Sequence, residues 1–373
     1  MLHAGTLRWV TLKGLLALLA LTGLTGMTCR PPEYLTAPRA AWQRNWSNQE
    51  QEPNNDFGQA VARLMTDATM TIEGRIGSPS DIDIFDIGPT QPGDHLVVDL
   101  DTVSGDLDSI VAVFDQEHRL LSVNDDVDDF SFDSRVEFTA RHATVNTYIA
   151  VASWDAQSMG GYVLDLTLTR GGPAPDTVPQ TVYLDFDGAD THIPSIGEVV
   201  FGAFDAANID ASYDGQTDPI KAGILDAMEA DYAGFNITFL SSDDEPVPAG
   251  SHATLYFGGT SPDLFGIAEH IDDYNAEASD AAVIYTDSWC DAFVANPSVD
   301  GLARSIGQVA SHELGHLLGL NHVADVTDLM DTTGEAETLL DDQVFKLSVV
   351  AAQVFPIGMQ DAALLLREVL GRR

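Results

Sequence analysis

The chain has 373 residues, 45% hydrophobic and 20% charged, a composition that fits two globular domains and argues against a disordered or collagenous protein. Lysine and arginine number 17 against 58 aspartates and glutamates, giving a formal net charge of −41. Such acidity argues against nucleic acid and anionic membrane surfaces as partners. It suits an extracellular protein kept soluble by self-repulsion, or one that binds calcium.

At the N-terminus, Arg8 and Lys13 precede an apolar run at 15–24 that is too short to span a bilayer. Residues 1–28 therefore read as an export signal, and the mature protein as secreted or held in the cell envelope. Cys29 and Cys290 are the two cysteines of the chain, too few for a disulfide framework. Cys29 closes "LTGMTC", which resembles the end of a bacterial lipoprotein signal and makes this residue the candidate for lipid attachment. Thr28 stands where that pattern has Gly or Ala, and free secretion is the default. Without an anchor at Cys29, no membrane partner is expected. The polar stretch 29–50 reads as a tether.

Within a β domain read as 51–169, residues 71–168 alternate with period two in short runs: "TIEGRI", "DIDIFDI", "HLVVDLDTV", "SIVAVFD", "TYIAVAS" and "GYVLDLTL", separated by Gly, Asp, Asn and Ser. In the last run Tyr162, Leu164, Leu166 and Leu168 share one face, and Val163, Asp165 and Thr167 the other, as a sheet with one buried face requires. An all-β sandwich of two antiparallel sheets is the economical solution. The motifs "EPNND", "GRIGSPSDIDIFDI" and "GGYVLDL" resemble those of the bacterial pre-peptidase C-terminal (PPC) domain, which accompanies secreted peptidases. Here the domain precedes the candidate catalytic region.

A Gly- and Pro-rich linker at 170–180 leads to an α+β region, 181–373. Its elements are predicted as strand "TVYLDFDG", a helix capped by Asp218 with Pro219 at its first position, strands "NITFL" and "ATLYFGG", an extended piece "FGIAEHI", and strand "AAVIYTD". A helix over 300–319 follows, capped by Asp300, with Ile306, Val309 and Ala310 on its apolar stripe and Gly319 at its end. Residues 341–355 and 358–371 read as further helices.

Within the 300–319 helix lies "HELGH". His312 and His316 are four apart, so their imidazoles project from one face as two ligands of a single ion must. Gly319, free to adopt a left-handed conformation, turns the chain so that His322 can return as the third. Three protein ligands leave a fourth place for water, the catalytic rather than the structural arrangement of zinc. Glu313, beside the ligand face, is the candidate general base. A chance match to the five fixed positions in a chain of this length is on the order of one in ten thousand. The remaining histidines, including His252 and His270, are scattered and read as surface or satisfied core residues.

"HELGHLLGLNH" matches the metzincin signature, and residues 180–335 resemble that clan of zinc metallopeptidases. The resemblance implies peptide-bond hydrolysis of a protein or peptide substrate by a zinc-activated water. It implies a hydrophobic floor at Met330, eight residues after His322, the matrixin spacing. It also implies an edge strand at Gly266, Ile267 and Ala268 that pairs with substrate. Asp331 follows the methionine without the matrixin proline, and no tyrosine stands two positions on, so a tyrosine ligand is not implied. Three alternatives stay open: a binding module with a vestigial metal site, a zinc amidase acting on cell-wall peptides, and a distant glutamate as third ligand, the last disfavoured because His322 fills that role. The clusters "NDDVDDF" (124–130) and "DFDGAD" (185–190) are candidates for Ca2+, with a solvated acidic turn the favoured reading.

Overall fold

The computed structural model describes residues 48–66, 68–127, 131–332 and 334–373. The expected export signal, Cys29 and nearly all of the expected tether lie outside these, as does part of the 124–130 cluster. The chain divides into two compact units, one holding the described residues before 117 together with 123–173, the other 117–122 and 174–373.

The strands before residue 174 are β1 (Val61–Ala62), β2 (Ala68–Ile76), β3 (Ile82–Asp86), β4 (His95–Gly105), β5 (Ser109–Phe114), β6 (Leu120–Asn124), whose first three residues fall to the other unit, β7 (Ser134–Thr139), β8 (Tyr148–Ser153) and β9 (Gly160–Thr169). They form two sheets, ordered β2-β9-β4-β7 and β1-β3-β8-β5-β6. In β9 the alternation is strict: Tyr162, Leu164, Leu166 and Leu168 are buried while Asp165 and Thr167 are exposed. Register places Leu164 opposite Ile72 and Leu166 opposite Val98, so the buried residues of neighbouring strands meet on one face. Strands β5 and β8 are apolar and buried almost throughout, which marks the centre of the second sheet. The Tyr162 hydroxyl donates to Asp83 across the two sheets at 2.6 Å. Strands β6 and β7 were not expected; each is short, and β7 carries Arg135 and Glu137 on its outer face.

The second unit opens with β10 (Gln180–Asp185), the hairpin β11 (Ala189–Ile193) and β12 (Gly197–Phe201), and helix α1 (Thr217–Asp231). Then come β13 (Ile237–Ser241), β14 (Ala253–Phe257), β15 (Gly266–Ala268), β16 (Ala281–Ile284) and helix α2 (Val299–Leu317), followed by β17 (Leu347–Val349), β18 (Met359–Asp361) and helix α3 (Ala362–Leu370). The main sheet runs β13-β10-β14-β16-β15, parallel except for β15, which lies antiparallel on the edge. Period two divides the sheet between two cores. Ala282 and Ile284 face the cluster that contains Ile224 and Met228 of α1 and Ile306 and Val309 of α2, whereas Val283 and Ile267 face Ala189, Ile193 and Val199 of the hairpin.

Three expectations differ from what is observed. Helix α1 starts at Thr217 with Gln216 flanking it, so Asp218 lies in the first turn, where its charge complements the helix dipole's positive end, and is not the cap. Helix α2 is capped by Ser298, whose hydroxyl accepts from Gly301 N at 3.1 Å, rather than by Asp300. Residues 341–355 form no helix. The β-branched pair Val349 and Val350 sits in and beside β17, which pairs antiparallel with β18. The hairpin β11/β12 was also not anticipated, because its exposed Asp190, His192 and Glu198 mask the alternation.

Candidate metal centre

Helix α2 is buried along its last four turns, and this burial fixes His312, Glu313 and His316 in place. Leu318 closes the helix and Gly319 takes φ +93°, a conformation that costs an L side chain; a Cβ there would also stand 2.8 Å from Tyr274 N. The chain so turned is pinned on both sides of His322. Gln360 on β18 accepts from Asn321 N and donates to Asn321 O, each at 2.7 Å, and Ala351 N donates to His322 O at 2.9 Å. Gln360 is a positioning residue that sequence reasoning missed, since nothing in "GMQD" signals its reach to a loop 39 residues earlier.

The three imidazoles converge. His316 Nε2 lies 3.1 Å from His312 Nε2 and 2.9 Å from His322 Nε2. His312 Nδ1 donates to Leu329 O at 2.6 Å and His316 Nδ1 to Leu320 O at 2.8 Å, so in both rings the proton sits on Nδ1 and the Nε2 lone pair faces inward. Burial holds His312 and His322 well below the ordinary histidine range and His316 down at about 4, which keeps all three neutral. Buried neutral nitrogens that point their lone pairs at one another call for a cation between them. Four-coordinate zinc with bonds of about 2.05 Å sets its ligands about 3.3 Å apart. The donor set fits zinc, and the three histidines are a group able to hold a metal ion.

Glu313 is 2% exposed, and its Oε1 has no hydrogen-bond partner. Its carboxyl is pushed up to about 8 by burial, partly opposed by the Ala268 backbone N–H, which donates to it. A dication nearby would act in the opposite direction and favour the carboxylate. Gly266 lies against this side chain: a Cβ there would stand 2.7 Å from both Cγ and Oε1 of Glu313. The edge strand β15 and the glutamate are therefore in direct contact, and Ala268 N–H already serves Glu313. Met330 is fully buried with Sδ 2.6 Å from where a Cβ of Gly315 would stand, so the glycine between the two helical histidines makes room for the methionine beneath them. Asp328 shapes that turn, accepting from Met330 N at 3.0 Å and from Ser348 Oγ at 2.6 Å. Both Gly315 and Asp328 escaped the sequence reading. A narrow cleft beside His312 is lined by Val309, Leu329, Asp331, Thr338 and Leu339.

The acidic cluster at 185–190 does not gather its carboxylates into an ion-binding group among the described residues. Asp185 instead accepts from Asp187 N at 3.0 Å, as in a solvated turn.

No family model matches the chain, and no curated relative was found. Among solved structures, it is similar to an archaemetzincin from Methanopyrus kandleri at 14% identity, over 51% of this chain and 95% of that one, with a TM-score of 0.29. It is similar to a zinc-dependent peptidase from Methanocorpusculum labreanum at 14% identity, over 43% and 93%, with a TM-score of 0.26. The pre-peptidase C-terminal domain of a collagenase from Bacillus anthracis matches at 13% identity, over 29% of this chain and 96% of that one, with a TM-score of 0.23. Likeness at this level decides nothing about function; the residues of the site do.

Proposed function

We propose that this chain is a zinc-dependent endopeptidase of the metzincin type, exported to the cell surface or medium, with 51–169 a PPC-like sandwich and 181–373 the catalytic domain. The observation that carries this reading is the placement of His316 Nε2 within 3.1 Å of both His312 Nε2 and His322 Nε2, together with a buried glutamate whose Oε1 has no partner. His312, His316 and His322 would hold the metal. Zinc, when bound, supplies a Lewis acid for the scissile carbonyl and lowers the pKa of water.

The chain's own residues do the rest. Glu313 takes the water proton on Oε1 and returns it to the departing amine, a task no metal ligand could perform in its place. Its contact with Ala268 N–H fixes the other end of the carboxylate. A peptide lying along β15 in extended form would meet the strand's remaining outward backbone groups, with its scissile bond beside Glu313. Met330 and Gly315 keep the floor under the ligands dry and filled. The glutamate also favours an enzyme over a binding module, because structural zinc needs no general base.

The test combines zinc content with hydrolysis of casein and of cell-wall peptides. The parent should bind zinc and cleave casein, and Glu313→Gln should keep its zinc while losing about 10²–10⁴-fold in turnover. Undiminished turnover in that variant overturns the mechanism. Cleavage confined to cell-wall peptides would reassign the chain as an amidase, and bound zinc without cleavage of either would make it a binding module.

A further inference from the structure

The loop between β15 and β16 gathers a second set of metal-binding side chains, one that the scatter of histidines in the sequence concealed. One ligand atom each from His270, Asp272 and Asp280 lies within 4.8 Å of the other two. Asp280 is 3% exposed, and its carboxylate oxygens find no hydrogen-bond partner on any other residue; its own backbone N–H alone bears on them. Such a group is expensive to bury unless a cation or a proton accompanies it. Burial first, and then the acidic neighbours Asp272, Glu269 and Glu277, push its carboxyl up to about 8 against the lowering effect of its own backbone N–H. Asp272 is buried too, and its carboxylate is aimed by the loop: Oδ2 accepts from Glu277 N at 2.7 Å, and Ala276 N donates as well. His270 is half-buried and closes the group.

We propose that His270, Asp272 and Asp280 form a second divalent-cation site, separate from the three-histidine centre, with zinc as the ion that fits best. One imidazole and two carboxylates make a mixed nitrogen and oxygen set suited to zinc, whereas calcium sites are built from oxygen alone. Ligands on one zinc ion lie about 3–4 Å apart, a spacing within the 4.8 Å bound on the three groups. The site also has a structural target. Asp272 N donates to His316 O at 3.0 Å, and Asp272 O lies 3.0 Å from where a Cβ of Gly319 would stand. An ion in this loop thereby steadies the turn that follows His316, and with it the strand β15 from which the loop departs.

The experiment is a zinc titration of the metal-stripped full chain, followed by calorimetry and elemental analysis. The parent should take up two equivalents of zinc; Asp280→Asn and His270→Ala should each take up one, with a smaller zinc-induced rise in Tm. His270 is only half-buried, so its variant decides the matter should Asp280→Asn fail to fold. One equivalent in the parent, or two in His270→Ala, overturns the proposal. Should Asp280→Asn in chelator melt above the parent while the parent binds a single equivalent, Asp280 carries a proton and no metal.

Discussion

Gly266 and Glu313 show how much of this site is decided by single atoms. A Cβ at position 266 would press on Cγ and Oε1 of Glu313 at 2.7 Å, and the glutamate is enclosed, with no room to swing aside. Gly266→Ala should therefore displace the carboxylate while leaving all three histidines untouched. Misplacing a catalytic group by about 1 Å can cost on the order of 10²-fold, so we expect kcat/KM to fall by about that factor with zinc content unchanged. Parent-like cleavage would mean that Glu313 is not held as the structure implies. The sequence made His312, Glu313, His316, Gly319 and His322 legible because ligand chemistry and helical spacing restrict them to a short pattern. Gly315, Gln360 and Asp328 act through contacts that join residues 15 to 39 positions apart or beneath the helix, and spacing carries no sign of them. The grouping of His270 with Asp272 and Asp280 carries no signal in spacing either, since all three lie on a loop whose path no periodicity reveals.

At the scale of elements, the site depends on how closely α1 and α2 approach. Gly223 faces the Ala303 side chain, and Gly307 would carry a Cβ 2.7 Å from Ala227 Cβ and 3.2 Å from Ile224 O. Tyr232 donates to Ser311 O at 2.9 Å, and Ser311 Oγ donates to Asp231 at 2.6 Å, which fixes the slide of one helix on the other one residue short of His312. Two effects oppose each other in Gly307→Ala. Helix propensity favours alanine by about 1 kcal/mol, while overpacking a close crossing costs about 1–3 kcal/mol. The second should win, because one of the two atoms met is a backbone oxygen that cannot rotate away. We expect urea denaturation of the variant to show a net loss of about 1 kcal/mol, and a gain would show that the helices can part without cost. Strands β2 to β5, β8 to β10 and β13 to β16, with the histidine-bearing helix α2, were legible from period two and period 3.6. The helix expected at 341–355 failed because β-branched residues and an apolar run can serve either element, and pairing with β18 decided for strand.

For the whole molecule the dominant quantity is charge. Seventeen cations cannot serve 58 acids. Arg135 with Asp99, Arg170 with Asp94, Lys221 with Asp243 and Lys346 with Asp325 are pairs among the described residues, and the acids are left in large excess. Two consequences of added salt compete. Screening weakens the exposed pairs, each worth about 0–1 kcal/mol, and acts less on Arg170 with Asp94, whose carboxylate is buried; it also weakens the mutual repulsion of the uncompensated carboxylates, which acts over the whole surface. The Debye length falls from about 30 Å at 0.01 M to about 3 Å at 1 M, so repulsion between charges a domain's width apart is removed across that range. With so few pairs to lose, the repulsion should govern, and Tm should rise by a few °C between about 0.01 M and 0.5 M sodium chloride, equivalent to about 1 kcal/mol for a unit of this size. Choline chloride should act equally, because screening does not depend on the cation's identity. A larger rise with calcium chloride at the same ionic strength would reveal a specific calcium site on top of screening. A flat or falling Tm in all three salts would show that the few ion pairs outweigh the acidic excess, and that the carboxylates are spaced widely enough not to oppose folding.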